Sequence, residues 1–171
     1  MPARPQWRSA ARLAVALAWL GVIVLSRSQP AAAPVLSFGP ITAFVASLVQ
    51  SLLQWTGIEA LRVAAFLYVP GGFAYEITVG CTGLLPAAVL TVAILASPES
   101  RTAKRRGVLA GVPLVLVVNL VRLVHLFYLG VYAPRLFVLA HSVLWEGAIV
   151  LVTFATWLAW TRWAARSSAG A

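Results

Sequence analysis

The stretch GVLAGVPLVLVVNLVRLVHLFYLGVYAP, residues 107–134, decides the fold class, because Arg122 is the only charged side chain within it. A helix needs about 20 mostly apolar residues to cross the hydrocarbon core of a membrane. The stretch exceeds that length, and it therefore predicts a membrane-spanning helix that carries one costly charge.

The composition of the whole chain has the same character. Of its 171 residues, 61% are hydrophobic and 10% are charged, whereas soluble domains carry about 45–50% apolar and about 25% charged residues. This composition excludes a soluble globular fold, a disordered chain and a disulfide scaffold. We predict an all-α integral membrane protein that forms a single domain over residues 1–171 in a lipid bilayer. About four transmembrane helices are expected, at residues 10–27, 81–98, 107–130 and 138–161.

The positive charge of the chain lies at the ends of the apolar runs. A net charge of +9 is a common mark of nucleic-acid binding. Here, however, nine of the thirteen basic residues form clusters at residues 4–12, 101–106 and 162–166, next to predicted spans. Nucleic-acid binding is therefore not expected. Because basic loops stay on the cytoplasmic side, all three clusters are predicted to be cytoplasmic.

This orientation places residues 27–80 outside, so the apolar segment at residues 41–58 cannot span the membrane. The segment has one polar and one apolar face, formed by Ser47, Gln50, Ser51 and Gln54 against Phe44, Val45, Leu48, Val49, Leu52 and Trp55. We predict an amphipathic helix at the outer interface or against the bundle. Two alternatives stay open: five spans with an outer N-terminus, and a cleaved N-terminal signal peptide that would leave three spans.

A short β-hairpin is predicted after this helix. Residues 61–69 and 73–79 are rich in β-forming residues, and Pro70-Gly71-Gly72 joins them. The second strand leads to Gly80-Cys81-Thr82-Gly83, where the next helix is expected to begin. The hairpin would therefore lie on the extracytoplasmic side, directly before Cys81.

Three polar residues stand out against the apolar background. Cys81 is the only cysteine, so an intramolecular disulfide and a four-cysteine metal site are excluded. A lone cysteine usually only packs, but a helix start lowers a thiol pKa. Arg122 inside a membrane costs about 2.5–3.5 kcal/mol, so it needs a partner or a function. An ion pair with Glu146 is the purely structural explanation. His141, near the start of the last span, could equally be a packing residue.

The depths of these residues connect them. Arg122 lies eight residues before the outer end of its predicted span, or about 12 Å, while Cys81 and His141 each begin an inward-running helix. All three are therefore expected in the outer half of the membrane. A thiol, an imidazole and a cation are the groups that acyl transfer needs as nucleophile, general acid and base, and stabiliser of negative charge.

At these residues the chain resembles a known family. The blocks GGFAYEITVGCTGL at residues 71–84, NLVRL at 119–123 with FYLG at 127–130, and Ala140-His141 followed by Trp145 are similar to the exosortase/archaeosortase family. The blocks occur in the family's order, and the similarity extends over about residues 35–160. The short length and the Gly-Gly-Phe hairpin are most similar to the exosortase H branch.

The resemblance implies a cysteine transpeptidase of the bacterial cytoplasmic (inner) membrane with its active site facing outward. Its partners would be exported proteins with a C-terminal motif, a transmembrane helix and a basic tail, which it would cleave and transfer to a further acceptor. By position, Cys81 would be the nucleophile, Arg122 the essential arginine and His141 the histidine, with Asn119 and Glu146 in support. His125 has no expected role, and no cofactor or metal is expected.

Two other functions stay open at this point. One is a non-catalytic transport or assembly subunit, in which Arg122 pairs with Glu146 and Cys81 only packs. The other is a purely hydrolytic intramembrane protease, which would cleave without transfer.

Overall fold

The computed structural model describes residues 39–169, and this part of the chain is mostly helical. The elements in chain order are α1 (Gly39–Trp55), β1 (Leu61–Val63), β2 (Phe66–Tyr68), β3 (Ala74–Glu76), a 3₁₀ turn (Val79–Cys81), α2 (Leu84–Leu95), α3 (Arg101–Tyr132), α4 (Pro134–Leu139), a π-helical segment (Ala140–Trp145) and α5 (Glu146–Ala169). The predicted span at residues 10–27, and with it the question of a signal peptide, lies outside the described residues.

Two helices of the described chain are long and apolar enough to cross a membrane. The first is α3, whose 32 residues extend for about 48 Å, well beyond the roughly 30 Å of a hydrocarbon core. The second is the continuous helix Pro134–Ser167. The spans predicted at residues 107–130 and 138–161 fall within these helices. They support a membrane protein, while the total number of spans stays a prediction.

The helix expected to begin at Cys81 starts later, while a membrane span at residues 81–98 stays a prediction. Helix α2 has only 12 residues, about 18 Å, and it begins three residues after Cys81. Gly83 precedes it in a left-handed conformation, with φ at +78°. A helix cannot continue through that conformation. Cys81 therefore ends a separate 3₁₀ turn instead of occupying the first turn of a membrane helix.

Helices α3 and α5 pack antiparallel. At one end the indole Nε1 of Trp160 donates to the carbonyl oxygen of Ala103 over 3.0 Å, and further along Arg122 contacts Glu146. The basic residues at 101–106 and 162–166 therefore lie at the same end of the pair. This is the arrangement that the charge pattern predicts.

Helix α3 buries the polar residues of its apolar stretch and exposes many of its large apolar residues. Its buried side carries small and polar residues about four positions apart, among them Gly111, Asn119 and Arg122. Its exposed side carries large apolar residues, which are Leu109, Leu114, Val117 and Val121. A soluble protein would have the opposite arrangement. Such a helix suits a lipid environment, in which polar groups must find their partners within the protein.

The predicted two-stranded hairpin is a three-stranded antiparallel sheet in the order β1-β2-β3. The first predicted strand is divided because Ala64 takes a left-handed conformation, with φ at +52°. The second connection is as predicted: Gly72 N donates to the carbonyl oxygen of Val69 at the Pro-Gly-Gly turn. Tyr75 of β3 pairs with Leu67 of β2.

Helix α1 lies against the bundle, which is one of its two expected positions. Its buried residues are Thr42, Ala46, Val49 and Leu53. Its predicted polar face contacts the start of the sheet: Nε2 of Gln50 donates to the carbonyl oxygen of Ala60 over 3.0 Å, and Nε of Arg62 donates to Oε1 of Gln50. The outward face is apolar, with Trp55 93% exposed.

Phe73 joins the sheet to α3. A Cβ atom at Gly130 would overlap the ring of Phe73, so the two elements approach at a position where only glycine fits. The ring also makes edge contacts with Phe127 and Phe137, at centroid distances of 5.6 and 5.2 Å. These contacts fix the start of β3, the strand after which the chain continues to Cys81.

A pair of glycine substitutions tests this junction. We expect Gly130→Ala to lower the free energy of unfolding by about 1–2 kcal/mol, because the added methyl group overpacks against Phe73. Gly147 is a matched control, since it also lies in a helix but a Cβ there meets nothing within 4 Å. Gly147→Ala should raise stability slightly. Thermal unfolding in detergent measures both, and equal shifts in the two variants would contradict the close contact.

Candidate active site

Cys81 lies at the junction between the sheet and the membrane helices. It ends the 3₁₀ turn Val79–Cys81, and its side chain is buried, with 6% of its surface exposed. The Oγ1 atom of Thr78 lies 3.5 Å from the Cys81 sulfur. The turn thus holds the thiol just beneath the exposed residues Val79 and Gly80.

Asn119 of α3 fixes the backbone of this turn. Its Nδ2 atom donates to the carbonyl oxygen of Cys81 over 2.8 Å. Gly83 makes the approach possible, because a Cβ atom at that position would lie 2.9 Å from the Asn119 side chain. Asn119 therefore contacts the Cys81 backbone, and its supporting role in the reaction stays a prediction.

Arg122 is one turn further along α3 and is almost completely buried, with 4% of its surface exposed. Its Nη2 atom lies 3.0 Å from Oε1 of Glu146, so the ion pair considered from the sequence does form. The pair occupies only one end of the guanidinium, because the buried Nε atom has no partner within the described chain. Glu146 itself is 46% exposed.

His141 reaches the site through the π-helical segment Ala140–Trp145. In an α-helix, residues five apart lie roughly 140° apart around the axis. In a π-helix the hydrogen bonds join residues i and i+5, so such residues lie nearly above one another. His141 and Glu146 are five residues apart, and the π segment therefore turns both toward the same side. His141 lies close enough to the Cys81 thiol to lower its pKa, and Glu146 pairs with Arg122.

The surroundings of Cys81 favour its ionised form. Burial alone would raise the thiol pKa, because desolvation disfavours the thiolate. Hydrogen bonds with His141 and Thr78 and the positive charge of Arg122 act against burial, and they lower the pKa of Cys81 to about 7. From the sequence, the start of a helix was expected to lower the thiol pKa. In the structure, Thr78, Arg122 and His141 lower it instead.

The other histidine of the chain is separate from this site. His125 is exposed on α3, and its Nδ1 atom accepts a hydrogen bond from Nε1 of Trp145 over 2.8 Å. Its ring packs edge-on against that indole at 5.6 Å. The structure thus brings Cys81, Arg122 and His141 together and leaves His125 apart.

Two residues of the site were not predicted from the sequence. Thr78 contacts the thiol, and Tyr75 lies beside it with its ring buried. The alternation in residues 73–77 offers a signal, since Phe73, Tyr75 and Ile77 share one strand face and only Tyr75 carries a polar group there. Within residues 39–169, no group of three or more histidine, cysteine or acidic side chains could hold a metal ion.

Comparison with known proteins identifies a family. A sequence profile of the family described as transmembrane exosortase matches residues 3–161 of this chain. No curated protein matches it significantly. No solved structure does so either.

The ionisation of Cys81 can be measured directly, because the chain has no other cysteine. We expect the rate of alkylation by iodoacetamide to rise with pH about a midpoint near 7. His141→Gln should move this midpoint upward, toward the ordinary thiol value of about 8.5 or beyond, since an amide is a weaker hydrogen-bond donor to the thiolate than an imidazole.

His125→Gln is the matched control, and its midpoint should equal that of the unmodified chain. Intact-mass measurement at a series of pH values follows both reactions. If His141→Gln and His125→Gln had the same midpoint, the contact between His141 and the thiol would be excluded.

Proposed function

Because the chain belongs to the transmembrane exosortase family, we propose that it is a membrane-embedded cysteine transpeptidase. Its substrates would be exported proteins with a C-terminal sorting signal, which it cleaves at the outer face of the cytoplasmic membrane and transfers to an acceptor. The resemblance noted in the sequence is confirmed at the level of the family. The assignment to the exosortase H branch stays a prediction.

One observation carries the proposal: the only thiol of the chain lies beside an imidazole and a guanidinium, with a pKa lowered to about 7. At neutral pH about half of such a thiol is ionised, and the thiolate is the nucleophilic form. Cys81 is therefore proposed as the nucleophile. A structural role for the cysteine would not require these neighbours.

The first step is acyl transfer to Cys81. The sulfur attacks the carbonyl carbon of the scissile peptide bond, and a C–S bond forms while the carbonyl electron pair moves onto oxygen. His141 takes the thiol proton and delivers it to the leaving nitrogen as the C–N bond breaks. The products are a thioester on Cys81 and the released C-terminal segment.

The second step transfers the acyl group. His141, now neutral, accepts a proton from the acceptor nucleophile, which attacks the thioester carbon. The C–S bond breaks, and His141 returns this proton to the departing sulfur, so that Cys81 regains its starting form. Burial of the thiol favours transfer over hydrolysis, because it limits the access of water to the thioester.

Arg122 and Glu146 have an electrostatic role in this proposal. The guanidinium lowers the energy of the thiolate and of the charge that develops on the carbonyl oxygen. Glu146 holds one end of the guanidinium through its 3.0 Å contact. A non-catalytic membrane subunit would need the same ion pair, so the pair by itself does not distinguish such a subunit from a transpeptidase. The lowered pKa of the Cys81 thiol favours the enzyme.

Cleavage and transfer are tested by co-expressing the chain with an exported protein that carries a C-terminal motif, a transmembrane helix and a basic tail. We expect Cys81→Ala to abolish processing, and His141→Gln to reduce it at least a hundredfold, because both remove groups that the reaction needs. His125→Gln should process normally. Full processing of the substrate in cells that express Cys81→Ala would contradict the enzyme and favour the non-catalytic membrane subunit.

The fate of the acyl group separates a transpeptidase from a protease. With added hydroxylamine, the thioester on Cys81 should give a hydroxamate at the new C-terminus of the substrate, detected by mass spectrometry. Formation of the free carboxylate alone, at every hydroxylamine concentration, would favour the hydrolytic protease.

The orientation is tested with two reporter cysteines in the Cys81→Ala chain. Ala74→Cys places a thiol on exposed β3 at the active-site end, and Thr102→Cys places one on exposed α3 at the basic end. A membrane-impermeant maleimide added to intact cells should label the first and not the second, because basic segments stay in the cytoplasm. The reverse pattern would mean that the active site faces inward.

A further inference from the structure

Unpartnered polar atoms are concentrated around Cys81. Among residues 39–169, the buried side-chain nitrogen and oxygen atoms that lack a hydrogen-bond partner are Tyr75 Oη, Asn119 Oδ1, Arg122 Nε and Trp157 Nε1. Three of these four belong to residues of the candidate active site. A buried donor without a partner is costly and uncommon in proteins. Its retention at a reactive thiol indicates that the partner is a ligand or a reacting group.

Of the three unpartnered atoms at the candidate active site, the two donors are Tyr75 Oη and Arg122 Nε, and both lie near the same thiol. Tyr75 is 7% exposed and shares one buried cluster with Cys81. Its hydroxyl lies near enough to the sulfur for the charge of Cys81 to act on it, although it makes no hydrogen bond there, and the charge of Arg122 acts on both Tyr75 and Cys81. The two side chains come from a strand and a membrane helix, respectively, and they approach the thiol from different elements.

The position of the Tyr75 ring is restricted. Its strand partner is Leu67, and its ring makes an edge contact with Phe137 at 6.0 Å. Phe137 in turn stacks on His141 at 5.8 Å. The hydroxyl is therefore held in place before any substrate binds, which is what stabilisation of a transition state requires.

Tyr75 is protonated at neutral pH. Burial raises the pKa of its phenol, and the neighbouring Cys81 raises it further, while Arg122 acts in the opposite direction. The hydroxyl is thus available as a hydrogen-bond donor. The sulfur of Cys81 already has Thr78 and His141 as neighbours. The Tyr75 hydroxyl therefore needs a hydrogen-bond acceptor other than the sulfur.

We propose that Tyr75 Oη and Arg122 Nε form the anion site that receives the carbonyl oxygen of the scissile bond when Cys81 attacks. This proposal rests on the proposed cysteine chemistry. As the C–S bond forms, the carbonyl electron pair moves onto oxygen, and that oxygen accepts one hydrogen bond from each donor. Neither proton is transferred, and both donors are unchanged when the carbonyl re-forms.

Two reagents that react at the same sulfur test this role without a known substrate. Acylation of Cys81 by p-nitrophenyl acetate passes through a tetrahedral oxyanion, whereas alkylation by iodoacetamide is a direct displacement with no oxyanion. The full chain is used in detergent at a pH well above 7, where the thiol is ionised. Mass spectrometry quantifies the Cys81 thioester and thioether, and Cys81→Ala provides the blank for both.

We expect Tyr75→Phe to lower the rate of acylation at least tenfold and to change the rate of alkylation by less than twofold. Removal of one oxyanion donor costs about 10²–10³-fold in established cases, and an activated ester needs less assistance. Arg122→Lys, which keeps the charge but removes Nε, should show the same selective loss. Tyr128→Phe is the matched control, because its hydroxyl contacts the carbonyl oxygen of Thr56 away from the thiol; it should change neither rate.

Three results would overturn the proposal. They are an unchanged acylation rate in Tyr75→Phe, an equal loss of both reactions, and acylation of the unmodified chain no faster than that of a free thiol with the same pKa. None of these results contradicts the proposed function, which is judged by Cys81-dependent processing of a sorting signal. Normal processing of the sorting signal by the Cys81→Ala variant would instead refute the proposed function itself.

Discussion

The burial of the Arg122 guanidinium inside a membrane bundle is the constraint on which the remaining site depends. A charge there must be paired or used, and Glu146 pairs with only one end of it. The π segment before Glu146 brings that carboxylate and His141 to one side of their helix. The positive charge then lowers the pKa of the thiol that His141 also contacts. One buried cation thus connects the ion pair, the imidazole and the nucleophile.

The three-stranded sheet has a positioning role in this arrangement. It packs onto α3 where Phe73 lies against Gly130, and the Asn119 side chain holds the backbone of Cys81 from the same helix. The thiol is therefore attached to the membrane helix although its own turn lies outside any long helix. A rigid helix that supports a short loop gives the precision that catalytic groups require.

Much of the fold follows from patterns that are local in the sequence. Apolar length locates α3 and the helix after it, because a bilayer of fixed thickness needs a minimum run of apolar residues. The division of the first strand at Ala64 and the late start of α2 could not be predicted, since each depends on a single left-handed residue. The polar stripe of α1 was recognised, but its partner is the sheet, as Gln50 shows.

The sequence by itself determined the membrane class and singled out Cys81, Arg122 and His141, because a chain with one cysteine and few charges makes each intramembrane polar residue conspicuous. Only the tertiary structure decided that Tyr75 and Thr78 join them and that Asn119 binds the Cys81 backbone, 38 residues away. The physical reason is the separation along the chain of the residues that interact. Hydrophobic periodicity is a local property of the chain, whereas a hydrogen bond between distant residues depends on how the helices and the sheet pack together.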